Sequence, residues 1–196
     1  MQLLIVSGFL GSGKTTFIIQ FARAAVARKM KVAVLVNEIG EIGIDDRYMR
    51  RLGLNVWEIL GGCICCTLAG DIGDTLDKLI EEYRPGLVLL EPSGAADLRS
   101  VDRIMATYED KAILKMRKLT IVDPLRFSMM MEVLTPLITS QIQSAEFVLI
   151  NKEDVASLED MENARRTVAD LHPEAKIICT AVKQKLDPLI LEDLLP

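Results

Sequence analysis

A three-layer α/β architecture, with helices on both faces of a doubly wound and mainly parallel sheet, follows from three features of this 196-residue chain. Short apolar runs alternate with amphipathic stretches from one end to the other, the pattern of strands joined by right-handed helical crossovers. The run Val88-Leu89-Leu90 has no polar alternation, as a strand covered on both faces requires. Half of the residues are hydrophobic, enough to bury such a sheet from both sides.

The first strand is Leu3-Leu4-Ile5-Val6, a buried apolar run. Six further strands are predicted over Lys31–Val36, Asn55–Leu60, Gly86–Glu91, Leu119–Asp123, Phe147–Asn151 and Ala175–Thr180. Between them, amphipathic spacing predicts helices over Thr15–Arg28, Asp71–Tyr83, Asp97–Tyr108, Leu125–Leu134 and Leu158–Leu171. Pro85-Gly86, Glu91-Pro92-Ser93-Gly94 and Asp123-Pro124 punctuate element ends and mark no domain boundary. A single domain over residues 1–196 is expected, with neither internal repeat nor linker.

The net charge is −5 and no stretch is densely basic, so neither nucleic acid nor an anionic membrane is an expected partner. The N-terminus is apolar but lacks a basic leader, and glycines interrupt it within a few residues, so no signal peptide or membrane span is expected. Of four cysteines, three crowd together, which suits reduced thiols or metal ligands rather than a secretory disulfide framework. A cytoplasmic location is the expectation.

The segment Gly8-Phe9-Leu10-Gly11-Ser12-Gly13-Lys14-Thr15, followed by Thr16, is a complete phosphate-binding loop placed after a strand and before a helix. Its glycines let the backbone curl so that successive amide N–H groups converge on phosphate oxygens, with Ser12 and Thr16 contributing around them. Lys14 is placed to reach the β- and γ-phosphates, and the Thr15 hydroxyl to take a position on Mg²⁺. The positive end of the following helix adds to the attraction. A glycine-rich strand-to-helix turn is the bland alternative, and the fixed Lys and Thr argue against it.

Asn151-Lys152-Glu153-Asp154 closes the strand Phe147–Ile150. A carboxylate such as Asp154 accepts both N1–H and the exocyclic amine of guanine, whereas adenine has no hydrogen on N1 and would leave it unpaired. The Lys152 stem can lie along the base while Asn151 tethers the loop, so GTP and GDP are favoured over adenine nucleotides. A charged helix start capped by Asp154 is the competing account. Thr180-Ala181, at the end of the last strand, offers weaker backbone contacts to the guanine oxygen.

Glu91-Pro92-Ser93-Gly94 ends the central strand. Glu91 there can hold the Mg²⁺ shell, through water, or polarise the attacking water. The Gly94 amide can approach the γ-phosphate because no Cβ intervenes. The run Asn37-Glu38-Ile39-Gly40-Glu41-Ile42-Gly43-Ile44-Asp45 follows the second strand. Its glycines and acids, Glu38 and Glu41 among them, suit a segment that orders around a γ-phosphate or a second metal; an acidic surface loop is the rival reading. All these motifs fall at the carboxyl ends of strands, where ligands bind in doubly wound sheets.

Gly61-Gly62-Cys63-Ile64-Cys65-Cys66 leaves the third strand. Thiolates of Cys63, Cys65 and Cys66 would bind Zn²⁺, Cu(I) or a similarly thiophilic ion and leave one position for an outside ligand, which suits transfer. Buried inert cysteines and a redox-active pair remain competing readings. Cys179 reads as core, and His172, before Pro173, as a surface residue rather than a ligand. Phe127–Met131 ends in the run Met129-Met130-Met131, which reads either as a core-facing helix or as an adaptable contact surface.

Taken together, these motifs resemble the CobW/UreG/HypB family of metal-handling GTPases, its CobW-like branch most closely. The resemblance is carried by Gly8–Thr16, Asn37–Asp45, Gly61–Cys66, Glu91–Gly94 and Asn151–Asp154, in order and over nearly the whole chain. It implies a P-loop GTPase fold with a divalent transition metal (zinc, cobalt or nickel) at the C-x-C-C element, sensed from the γ-phosphate through the intervening loops. It also implies a metallochaperone-like role toward a client metalloenzyme or corrinoid protein, with a nucleotide-dependent homodimer as a further possibility. CobW-like proteins commonly carry a second, C-terminal domain; with its end at Pro196 and one histidine, this sequence is expected to comprise the G domain only. Glu91-Pro92 also departs from the more usual Glu-Ser/Thr opening of that element.

Hydrolysis of GTP would then be mostly electrostatic, with Lys14 and Mg²⁺ stabilising charge and Glu91 or Glu38 positioning water. Unassisted turnover is expected to be slow, since no residue is an obvious arginine finger. The other functional class is a metal-sensing module in which nucleotide is mainly structural. A small-molecule kinase on the same loop is a third, which Asp154 disfavours.

Overall fold

The computed structural model describes residues 1–36, 55–58, 68–92, 115–184 and 186–195. Its elements are β1 (Gln2–Gly8), α1 (Lys14–Ala27), β2 (Val32–Val36), β3 (Asn55–Glu58), α2 (Leu68–Glu82), β4 (Leu87–Glu91), β5 (Lys115–Val122), α3 (Pro124–Gln143), β6 (Phe147–Ile150), α4 (Leu158–Leu171), β7 (Lys176–Cys179) and α5 (Pro188–Leu194). The expected helix over Asp97–Tyr108 lies outside the described residues.

Among the described residues the strands form a seven-stranded sheet in the order β3-β2-β4-β1-β5-β6-β7. Every neighbouring pair is parallel. β1 therefore lies between β4 and β5, and the loop that follows it emerges at the middle of the sheet's carboxyl edge. That edge also carries the ends of β4, β5, β6 and β7, so segments distant in sequence meet beside one loop.

The burial pattern explains the central strands. All seven residues of β1 and all five of both β2 and β4 are buried, because alternate side chains enter cores on opposite faces. On one face Leu4, Val6, Val34 and Leu89 pack with Phe17 and Phe21 of α1 and with Ile190 and Leu194 of α5. The rings of Phe17 and Phe21 stack at 5.4 Å. On the other face Leu3, Ile5, Leu35 and Leu90 meet Ile72, Leu76 and Leu79 of α2. A third cluster joins Val122, Val148 and Ile150 to Phe127, Ile138 and Ile142 of α3 and to Met161 and Val168 of α4.

Three boundaries differ from expectation by three residues or more, and one helix was not expected. β5 starts at Lys115 rather than Leu119, since Lys115–Lys118 are exposed or half-buried yet keep register with β1 from Gln2 onward. α2 starts at Leu68, not Asp71. α3 continues to Gln143 rather than stopping at Leu134: the backbone leaves helical geometry at Leu134 (φ −128°, ψ 30°), two residues before Pro136, then resumes. α5 has no counterpart in the sequence reading; Asp187 begins it by accepting from Leu189 N at 2.9 Å, with Pro188 in its first turn. The methionine run divides between the two readings, for Met130 and Met131 pack against the third cluster while Met129 is 56% exposed.

Candidate functional site

Glycine makes the loop after β1 possible. Gly8, Gly11 and Gly13 all have positive φ. At Gly8 a Cβ would lie 2.3 Å from the Ile121 carbonyl oxygen of neighbouring β5, and at Gly13 it would lie 2.3 Å from Asn151 Nδ2. Any side chain at either position would therefore collide as well as adopt a disfavoured backbone. Gly13 is also the residue before α1 and supplies no side-chain cap to the helix's first N–H groups. Ser12 is buried, and its Oγ has no hydrogen-bond partner among the described residues.

Lys14 opens α1 and is buried. Its ammonium donates to the Phe9 carbonyl at 3.3 Å and lies 3.7 Å from Glu91 Oε1 at the end of β4. A buried cation is costly unless anions surround it, and Glu91 supplies one such carboxylate. Thr15 is half-buried and Thr16 exposed on the first turn of α1.

The base-reading candidates adjoin this loop. Asn151 is buried after β6, donates from Nδ2 to the Ser12 carbonyl at 2.7 Å and accepts on Oδ1 from Val182 N at 2.9 Å. It thus ties the phosphate loop, its own loop and the turn after β7 together. Lys152 adopts left-handed backbone geometry at φ 64°, a conformation that in a non-glycine residue is retained where surroundings enforce it. Glu153 N donates to the Thr180 carbonyl at 3.2 Å, so Thr180 and Ala181 lie beside the 151–154 loop, where Asp154 is exposed.

Three positioning side chains were not singled out from the sequence. Gln20 of α1 holds the turn after β7, donating to the carbonyls of Val182 and Gln184 and accepting from Leu186 N at 3.2 Å. Asp123, at the end of β5, bonds both Lys152 and Arg126. Arg126 in turn donates to the Leu10 carbonyl. A carboxylate at a strand's carboxyl end, as in Asp123-Pro124, was the available signal.

The remaining candidates divide plainly. Gly94, Glu38, Glu41, Cys63, Cys65 and Cys66 lie outside the described residues. Among the described residues no group of three or more His, Cys, Asp or Glu is placed to hold a metal ion. Cys179, expected in the core, is exposed because β7 is a half-exposed outer strand. The burial it retains, and then the Glu153 carboxylate, push its thiol pKa up, which lowers its nucleophilicity. His172 is half-buried and ends α4.

The model of the CobW/HypB/UreG nucleotide-binding domain matches residues 2–179. The chain belongs to this family. Among curated relatives, the zinc chaperone YeiR of Escherichia coli is 32% identical over 163 residues, covering 83% of this chain and 49% of that protein. The zinc chaperone CobW of a Sinorhizobium species is 28% identical, covering 84% of this chain and 54% of that protein. The zinc-regulated GTPase metalloprotein activator 1 of Dictyostelium discoideum is 24% identical, covering 89% and 44% respectively. This family member thus spans about half the length of the curated relatives it matches. Zn(II)-bound YjiA GTPase from E. coli superposes with a TM-score of 0.70 at 24% identity, over 97% of this chain and 60% of that one. HypB from Archaeoglobus fulgidus does so with 0.67 at 19% identity, over 99% and 88%. At those identities the likeness establishes the α/β fold of the family. No helix among the described residues is long and apolar enough to cross a membrane.

Proposed function

We propose that this chain is the G domain of a GTPase whose nucleotide state controls transition-metal binding at Cys63, Cys65 and Cys66, for delivery to, or activation of, a metalloenzyme or corrinoid client. The observation that carries the nucleotide half is the Asn151 Nδ2 to Ser12 O hydrogen bond, which fixes the 151–154 loop against the phosphate loop across 139 residues of sequence. A nucleotide held at its phosphates by residues 8–16 then has its base at the loop bearing Asp154. That carboxylate pairs with guanine and would be stranded beside adenine.

In hydrolysis of GTP to GDP and phosphate, loop N–H groups and the Lys14 ammonium hold the triphosphate oxygens as charge develops on them. The oxygen donors present, the Thr15 hydroxyl and the Glu91 carboxylate, are hard ligands that fit Mg²⁺. When bound, that ion would neutralise phosphate charge. Glu91, held near Lys14, and Glu38 are the candidates to orient the attacking water, and Gly94 supplies an amide toward the γ-phosphate. With no arginine assigned to the transition state, unassisted turnover is expected to be slow.

Relatives named as zinc chaperones and zinc-regulated GTPase activators support the metal half, and three thiolates also accept Co²⁺ or Ni²⁺. The test is Zn²⁺ affinity measured with GDP and with a non-hydrolysable GTP analogue, in wild type and in Cys65→Ser/Cys66→Ser. Different affinities in wild type, abolished in the variant, are expected. Equal affinities in the two nucleotide states would end the coupling reading, because a ligand indifferent to two states cannot shift them.

A further inference from the structure

One carboxylate at the end of β5 is linked by hydrogen bonds to both the 151–154 loop and the loop after β1. Asp123 is buried, and its Oδ2 accepts from Lys152 Nζ at 2.7 Å and from Arg126 Nε at 2.9 Å. Its Oδ1 accepts from Leu125 N at 3.2 Å and so caps α3. Arg126 then extends the chain of bonds: its Nη2 donates to the Leu10 carbonyl at 2.7 Å, on the outside of the phosphate loop. The fit there is tight, for a Cβ on Gly11 would stand 2.7 Å from the same Nη2.

We propose that Asp123 is a positioning residue for the nucleotide, setting the base loop through Lys152 and the phosphate loop through Arg126. This rests on the reading of residues 8–16 and 151–154 as a guanine-nucleotide site.

The chemistry favours such a role over simple packing. Charge-assisted bonds are shorter and stronger than neutral ones, and both bonds to Oδ2 fall in that class. The Lys152 backbone sits in left-handed geometry, so its stem is held at two points, by the backbone turn and by Asp123. Fixing the stem fixes the floor against which a base lies, and with it the approach of Asp154. At the other end, Arg126 is half-exposed (45% at the side chain) and spans Asp123 and the loop. Its bond to the Leu10 carbonyl helps keep that peptide turned outward.

The two arms can be separated by choice of probe. Inorganic pyrophosphate with Mg²⁺ reads the phosphate loop alone. Preference for GDP over IDP, which lacks the 2-amino group, reads the base loop alone. In Asp123→Asn, which keeps an oxygen to cap α3, pyrophosphate affinity should fall on the order of 10-fold and the GDP-over-IDP preference several-fold. Arg126→Gln should reproduce only the first loss, and Lys152→Met only the second. A melting temperature measured for each variant separates global destabilisation from these losses. If Asp123→Asn alters neither probe, or only one, the proposal is overturned. It is equally overturned if Arg126→Gln leaves pyrophosphate affinity unchanged. A wild-type protein that binds ADP as well as GDP would instead overturn the guanine reading on which the proposal stands.

Discussion

Asn151 and Asp154 sit three positions apart and should fail in opposite ways. Asn151 is buried and satisfies the Ser12 carbonyl and the Val182 amide. Truncation to alanine leaves both groups without that partner, at a cost of about 2 kcal/mol or more. Asn151→Ala is therefore expected to lower unfolding free energy in urea and to weaken GDP and pyrophosphate alike. Asp154 is exposed, and surface changes of that kind move stability by less than about 0.5 kcal/mol. Asp154→Ala should leave the urea midpoint in place while abolishing preference for GDP over ADP. Comparable destabilisation by the two variants would contradict the assigned division between tether and reader. The same contrast explains what was legible at this scale. Asn151, Lys152 and Lys14 belong to local patterns whose spacing encodes chemistry. Asp123, Arg126 and Gln20 belong to no such pattern, since each acts on backbone or side chains that only folding brings near.

At the scale of elements, β1, β2, β4 and β6 were the more readable because every residue in them is buried, so they appear as apolar runs. β5 was shortened for the converse reason, its first half lying exposed or half-buried. α3 runs past its expected end at Leu134. Pro136 removes a helix donor and crowds the preceding turn, and the backbone leaves helical geometry at Leu134. Yet Ile138 and Ile142 continue the helical spacing beyond it, and both are buried in the third cluster. Packing on the two sides of the bend, by Phe127 before it and these isoleucines after it, holds α3 against the sheet without requiring straightness. Pro136 itself is exposed. Pro136→Ala should thus change stability by less than about 1 kcal/mol, whereas Ile138→Ala should cost about 2–4 kcal/mol. Chemical denaturation of the two variants checks this; a loss near 2 kcal/mol for Pro136→Ala would mean that the proline itself maintains the bend.

For the molecule as a whole, the C-terminal helix and the first strand close on each other. Gln2 Nε2 donates to the Leu194 carbonyl at 2.5 Å, across 192 residues of sequence. Ile190 and Leu194 are fully buried in the cluster that contains Phe17 and Phe21 beneath the phosphate loop. α5 escaped the sequence reading because seven residues carry too little periodicity, although its aspartate-proline start was visible. Leu194→Ala should cost about 2–5 kcal/mol, a large share of the roughly 5–15 kcal/mol typical of a domain. The turn between β7 and α5 is held separately by Asn151 and Gln20, so affinity for GDP should change little, by less than about 3-fold. Since nucleotide binds the folded state, GDP at 100 times its Kd should return about 2.7 kcal/mol to wild type and variant alike. Thermal unfolding of both proteins with and without GDP measures each term. A smaller GDP-dependent gain in Leu194→Ala would show that α5 shapes the nucleotide site and does not merely cover the core beside it.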